Sequence, residues 1–296
     1  MKRAFATLDV FTKKRFAGNP LAVVFDADGI DRDAMQAIAR EFSHPETVFV
    51  LKPESPGSTA RARIFTPAIE MVFAGHPTVG TALVLALKRG GSDIVLEEKI
   101  GLLRCRIAPG GPDSGHASFI LPALPEPAGA PASREAIAAA LGLAADDIGF
   151  DNHQPSKWSI GMTFTLVPLR SLDAVRRCRI VDAHWNAAFE NGGRSSAYLF
   201  CKETEDKANS FHARMFAPAA GIREDPATGS AAAAFSGFCA QSLRLGDGDH
   251  RFIIEQGFEM GRPSLIELSM TMRGRKLVSA SIGGPAIIVT EGTIEA

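Results

Sequence analysis

Glu224-Asp225-Pro226-Ala227-Thr228-Gly229-Ser230-Ala231 sets two carboxylates, two hydroxyls and a glycine immediately before a run of alanines. Residues 231–240 are apolar nearly all round, broken only by Ser236 and Gly237. A helix without a polar face has to be enclosed by other elements, so its first turn points into the protein. Free N–H groups and the positive end of the helix dipole make such a start an anion site, to which Thr228 and Ser230 add hydroxyl donors. The plainer alternative makes Thr228 or Ser230 an N-cap, Gly229 a turn residue and Asp225 a charge that offsets the dipole.

A second copy of the pattern lies upstream. Arg63-Ile64-Phe65-Thr66-Pro67 precedes Ala74-Gly75-His76-Pro77-Thr78-Val79-Gly80 and an apolar helix expected over residues 81–87. Arg214-Met215-Phe216-Ala217-Pro218 precedes the Asp225 to Ser230 loop in the same way. Thr78 and Thr228 are 150 positions apart, and Arg63 and Arg214 are 151 apart. One residue of slip over so long a period indicates duplication of a whole domain. Two buried helices, each entered through a Gly/Thr loop, are then expected to present their starts to a cleft between pseudo-symmetric halves, the kind of place where small-molecule pockets form.

The 296 residues are 46% hydrophobic and 22% charged, enough for two cores of roughly 100 to 150 residues each. With 32 Lys and Arg against 33 Asp and Glu and no long single-sign run, nucleic acid and anionic membrane surfaces are not expected partners. Asp9 and the Lys13-Lys14-Arg15 cluster interrupt any signal core, and no stretch approaches the ~20 apolar residues of a membrane span, so the expected location is cytoplasmic. Cys105, Cys178, Cys201 and Cys239 are scattered without a C-x-x-C pair, which disfavours a zinc site or a disulfide framework. There is no G-x-G-x-x-G turn after the first strand and no P-loop, and one histidine in the site loops is too few for a histidine metal cluster. No cofactor and no metal are expected.

In chain order, residues 4–11 and 21–25 read as strands around the Gly18-Asn19-Pro20 turn. Asp31 or Asp33 caps a helix with Met35, Ile38, Ala39 and Phe42 on its buried face. Pro45 ends that helix and sets Glu46 at the mouth of a strand over residues 47–51. Strands follow at 60–65, 69–73, 94–97, 102–107 and 117–121; residues 122–131, with four prolines, read as a linker. The second half is expected to hold helices at 133–141 and 171–178 and strands at 163–167, 196–200, 252–255, 263–269, 277–282 and 286–290. This is an α+β chain with halves at 1–121 and 132–296, the last strand able to return to the first half.

Glu46, His76 and Asp225 are the titratable groups such a cleft would gather, with Gly75, Gly229 and Ser230 supplying backbone and hydroxyl donors. The set suits proton transfer at carbon: a carboxylate removes a proton beside an activating group, and donors steady the developing charge.

Five blocks in order carry a family resemblance: Asp9-Val10-Phe11 with Gly18-Asn19-Pro20, Glu46-Thr47-Val48-Phe49-Val50, Phe65-Thr66-Pro67, Gly75-His76-Pro77-Thr78, and Glu224 to Ala231. The chain resembles the PhzF-like family of phenazine biosynthesis, whose fold is shared with diaminopimelate epimerase. The resemblance implies two similar domains, each a curved mixed sheet around a central helix, a homodimer, and a cofactor-independent isomerase of the trans-2,3-dihydro-3-hydroxyanthranilate type acting on a small carboxylic acid. It makes Glu46 the proton carrier, with His76 and Asp225 assisting and Gly75, Gly229 and Ser230 binding substrate. The related epimerases use two cysteines; neither loop has one here, which disfavours a two-thiol racemase. An amino-acid epimerase using Glu46 and Asp225 on opposite faces, or a non-catalytic binding protein on the same fold, are the competing readings.

Overall fold

Each of the two apolar helices packs against strands of its own half, in the computed structural model that describes residues 1–190 and 195–296. Two compact units divide the chain, Met1–Pro122 with Ser281–Ala296, and Ala123–Ala280. The first unit contains β1 (Lys2–Val10), β2 (Asn19–Val24), α1 (Arg32–Phe42), β3 (Glu46–Leu51), β4 (Ala60–Phe65), β5 (Glu70–Met71), α2 (Gly75–Arg89), β6 (Asp93–Glu98), β7 (Gly101–Pro109) and β8 (Ser114–Ile120). The second contains β9 (Glu126–Pro127), α3 (Arg134–Leu141), β10 (Ser156–Ser159), β11 (Thr163–Pro168), α4 (Leu172–Arg177), α5 (Asp182–Trp185), β12 (Ser196–Cys201), β13 (Phe211–Ala217), β14 (Ile222–Asp225), α6 (Gly229–Ser242), β15 (Gly248–Gln256) and β16 (Ser264–Arg273). The last strand, β17 (Lys276–Glu295), begins in the second unit and continues in the first.

In the first unit β1 pairs antiparallel with β2, β2 parallel with β3, β3 antiparallel with β4 and β4 parallel with β6. Antiparallel pairs lead on from β6 through β7 to β8. β17 pairs with both β8 and β1 and so closes the ring. Inside it lies α2, buried at every position from Gly75 to Ala86 before Lys88 and Arg89 emerge. Gly80 lets the wall approach: a Cβ there would lie 2.6 Å from Leu21 and 2.8 Å from Val10. Enclosed between α2 and α1, β3 is buried along its whole length and is continuously apolar from Val48 to Leu51. Outside, α1 is capped by Asp31, whose carboxylate accepts from the Ala34 N–H at 2.8 Å, and packs Met35, Ile38 and Ala39 with Val24, Phe49 and Phe65.

The second unit repeats the pairing: β10 with β11 antiparallel, β11 with β12 parallel, β12 with β13 antiparallel, β13 with β15 parallel, β15 with β16 antiparallel. Its inner helix, α6, is buried from Gly229 to Cys239, and Gly237 lies against the Trp158 ring where a Cβ would collide. Ile137, Leu141, Val175, Trp185 and Phe189 of the outer helical layer pack with Val167, Leu199 and Phe216 of the sheet. The Arg-x-Phe copies also match. Arg63 grips Glu70 with two nitrogens at 2.8 and 3.0 Å, and Arg214 grips Glu224 at 2.8 and 2.9 Å.

Four expectations change. The strand over 69–73 is only Glu70–Met71, and the 122–131 segment contains β9, paired with β10. The strands over 277–282 and 286–290 are one strand, because Pro285 has no N–H to leave unpaired and its carbonyl accepts from Thr12 at 3.0 Å. Both inner helices also start earlier, at Gly75 and Gly229. Pro77 fits inside the first turn of α2, where an N–H has no intrahelical partner to lose.

Candidate functional site

In the first unit the site groups come from one strand and one helix start. Ser43, in the left-handed region at φ 54°, stops α1 and donates its N–H to Ala39, so the chain turns through Pro45 and enters β3 with Glu46 beside Leu21 of β2. Glu46 is 8% exposed and His76 3%. His76 Nε2 lies 3.3 Å from Glu46 Oε2, close enough for ion pairing but not aligned as a hydrogen bond.

The state of His76 follows from its surroundings. Burial depresses its pKa to about 3, with the backbone bond to Pro20 opposing and His44 adding to the fall, so the imidazole is neutral. Pro20 has no N–H, so its carbonyl must accept from the ring. Nε2 makes no aligned hydrogen bond, which leaves Nδ1 as that donor. Nε2 therefore presents a lone pair to Glu46, and a proton taken up between the two groups turns a repulsive contact into an attractive one.

In the second unit Asp225 is 6% exposed and ends β14. Thr228 stands at the N-cap position of α6, yet its hydroxyl does not cap the helix; it donates to the Asp225 carboxylate. Gln256, at the end of β15, ties this segment down. Its Nε2 donates to the Asp225 carbonyl at 2.8 Å and to Thr228 Oγ1 at 3.0 Å, and its Oε1 accepts from the Thr228 N–H at 3.2 Å. Gly229 and Ser230 form the first turn of α6, both buried. Glu46, Gly75 and His76 thus belong to the first unit and Asp225, Gly229 and Ser230 to the second.

Pro20, Glu98 and Gln256 are polar neighbours that reading the sequence did not assign. Thr78 matches Thr228 at 150 positions, but Glu98 matches Gln256 at 158, because the rest of the helix, the connection and the strand are each longer in the second half. The offset drifts between helix and strand, so the second match is invisible to a fixed period.

Thiol chemistry is disfavoured. All four cysteines are buried and free, and burial pushes Cys178 and Cys201 up to about 12 and Cys105 and Cys239 also upward. Among the described residues no three His, Cys, Asp or Glu side chains converge as metal ligands, and no helix is long and apolar enough to cross a membrane.

A ring of strands around a buried helix, with a buried carboxylate facing a neutral imidazole, defines a fold and a site suited to proton transfer. The sequence profile of the PhzC-PhzF family, phenazine biosynthesis-like proteins, matches residues 8–292, and the chain belongs to that family. It is 48% identical to an uncharacterized isomerase of Mesorhizobium japonicum, over 99% of this chain and 98% of the relative. It is 31% identical to the trans-2,3-dihydro-3-hydroxyanthranilate isomerase of Pseudomonas fluorescens, over 98% of each. The crystal structure of a PhzF-family phenazine biosynthesis protein from Bacillus anthracis superposes with a TM-score of 0.90 at 28% identity, covering all of both chains. With relatives named as isomerases along its whole length, the chain is an isomerase.

Proposed function

We propose that the chain moves a proton between carbons of a small carboxylic acid, of the trans-2,3-dihydro-3-hydroxyanthranilate type, without a cofactor. The observation that carries this reading is the buried contact of Glu46 with the lone pair of His76. The Glu46 carboxylate takes a proton from carbon, the electron pair left behind spreads into the adjacent activating group, and the same carboxyl returns the proton to a second carbon. His76, neutral and fixed through Nδ1 on Pro20, orients the carboxyl and accepts from it when it is protonated. Asp225, Gly75, Gly229 and Ser230 bind the substrate. Candidate acids incubated with the protein in deuterated water should gain deuterium at carbon. Glu46→Gln should abolish that gain; undiminished exchange in this variant removes Glu46 from the reaction. Asp225→Asn tests the second unit separately, through a rise in KM.

A further inference from the structure

Glu98 ends β6, and its Oε1 lies 2.6 Å from Oγ1 of Thr78 in the first turn of α2. The same Oγ1 lies 2.8 Å from the Ala74 carbonyl. A carbonyl has no proton to give, so the single hydroxyl proton of Thr78 goes to Ala74, and the bond to Glu98 draws its proton from the carboxyl. Glu98 Oε2 is buried without a hydrogen-bond partner. That is tolerable for the carbonyl oxygen of a neutral acid and costly for a carboxylate.

The second half offers a comparison. β4 pairs Arg61 with Glu97 where β13 pairs His212 with Glu255, so the next residues, Glu98 and Gln256, hold the same place. Gln256 also touches the helix-start threonine, and it does so as a neutral donor, Nε2 to Thr228 Oγ1.

The neighbouring charges leave Glu98 uncompensated. Arg61 of β4 turns to Glu54, while Arg63 of β4 and Lys99 turn to Glu70. Glu97 is held by the N–H groups of Glu54 and Ser55. On β7 the Cys105 thiol is pushed up by burial and by Glu98, and on α2 His76 is neutral. Burial lifts Glu98 to about 8, and does so even with a Thr78 hydroxyl proton allotted to the carboxylate, which would pull it down.

We propose that Glu98 is a neutral carboxylic acid that donates to Thr78 and acts as a positioning residue, bracing the first turn of α2 and the His76 it carries. Its effect on catalysis rests on the proton-transfer reading above; its protonation does not.

The first test is stability against pH. A proton held up to about pH 8 in the fold, and only to about 4.5 when unfolded, makes the folding equilibrium constant fall as pH rises between those values, by about tenfold per pH unit. Glu98→Gln should remove that part of the slope and keep the brace that Glu98→Ala loses. Infrared spectra at pH 7 should contain a protonated-carboxyl band that Glu98→Gln lacks. An unchanged slope in Glu98→Gln, or no such band, overturns the proposal. In the exchange assay, the alkaline fall in rate of the native chain should be absent from Glu98→Gln. If no candidate acid exchanges at any pH, the isomerase reading fails while the slope and the band still decide on Glu98.

Discussion

Glu97 and Glu255 do one job in two places. Glu97 accepts the backbone N–H groups of Glu54 and Ser55 in the loop after β3, and Glu255 those of Glu205 and Asp206 in the loop after β12. Their partners across the sheet differ. Arg61 stands where the second half has His212, which is buried between Glu255 at 2.8 Å and Glu259 at 2.9 Å. Nearer the candidate site the halves diverge further. Phe65 pairs with Thr47 and Phe216 with Ala197, so Glu46 corresponds to Ser196. Through the two helix-start threonines His76 corresponds to Pro226. Duplication kept the groups that hold loops and strands in both halves, and kept the proposed proton carrier and its imidazole in one.

That asymmetry is open to attack. Glu46→Gln should lower carbon exchange by about 10²- to 10⁴-fold, whereas Ser196→Ala at the corresponding position should leave it within a few-fold; equal losses would undo the distinction. The two Arg–Glu grips should also differ in weight. Arg214 is buried, donates to the carbonyls of Val175, Arg176 and Cys178 as well as to Glu224, and sits 4.8 Å from the Phe216 ring centre. Arg214→Met should cost about 3–5 kcal/mol in denaturant unfolding. Arg63→Met should cost nearer 1 kcal/mol, since Lys99 at 2.9 Å remains to compensate Glu70.

Titration should separate the halves too. Burial opposes a charge on His212, but Glu255 and Glu259 outweigh it and raise its pKa to about 9. A raised histidine stabilises fully below its unfolded value near 6.5 and loses that contribution as pH climbs to about 9, roughly 1.4 kcal/mol per pH unit. His212→Gln should flatten this part of the profile. His76 has the opposite sign: depressed to about 3, it destabilises the fold as pH drops below 6.5, and His76→Asn should remove that acid slope. Both are read as unfolding midpoint against pH.

Much of this was legible before any coordinates. The nearly unbroken apolar run after Ser230 required enclosure, and the Arg-x-Phe copies announced the repeat, because burial and turn chemistry leave local marks. The start of α2 was hidden, since Pro77 looks like a stop and only the tertiary setting makes it a first-turn residue. Burial of Glu46 was hidden as well. A lone Glu at a strand mouth carries no mark of whether water reaches it, and the lone pair of His76 depends on a carbonyl more than fifty positions away. Glu98 escaped notice because a strand-ending acid before Lys99 looks solvated.

β17 places a constraint on how the molecule is made. A nascent chain halted at Pro122 has β1 and β8 but nothing to join them, since their common neighbour is synthesised last. The half translated first is therefore the half completed last, and pulse-labelled hydrogen exchange during refolding should find the β1 amides that pair with β17 among the late ones to gain protection.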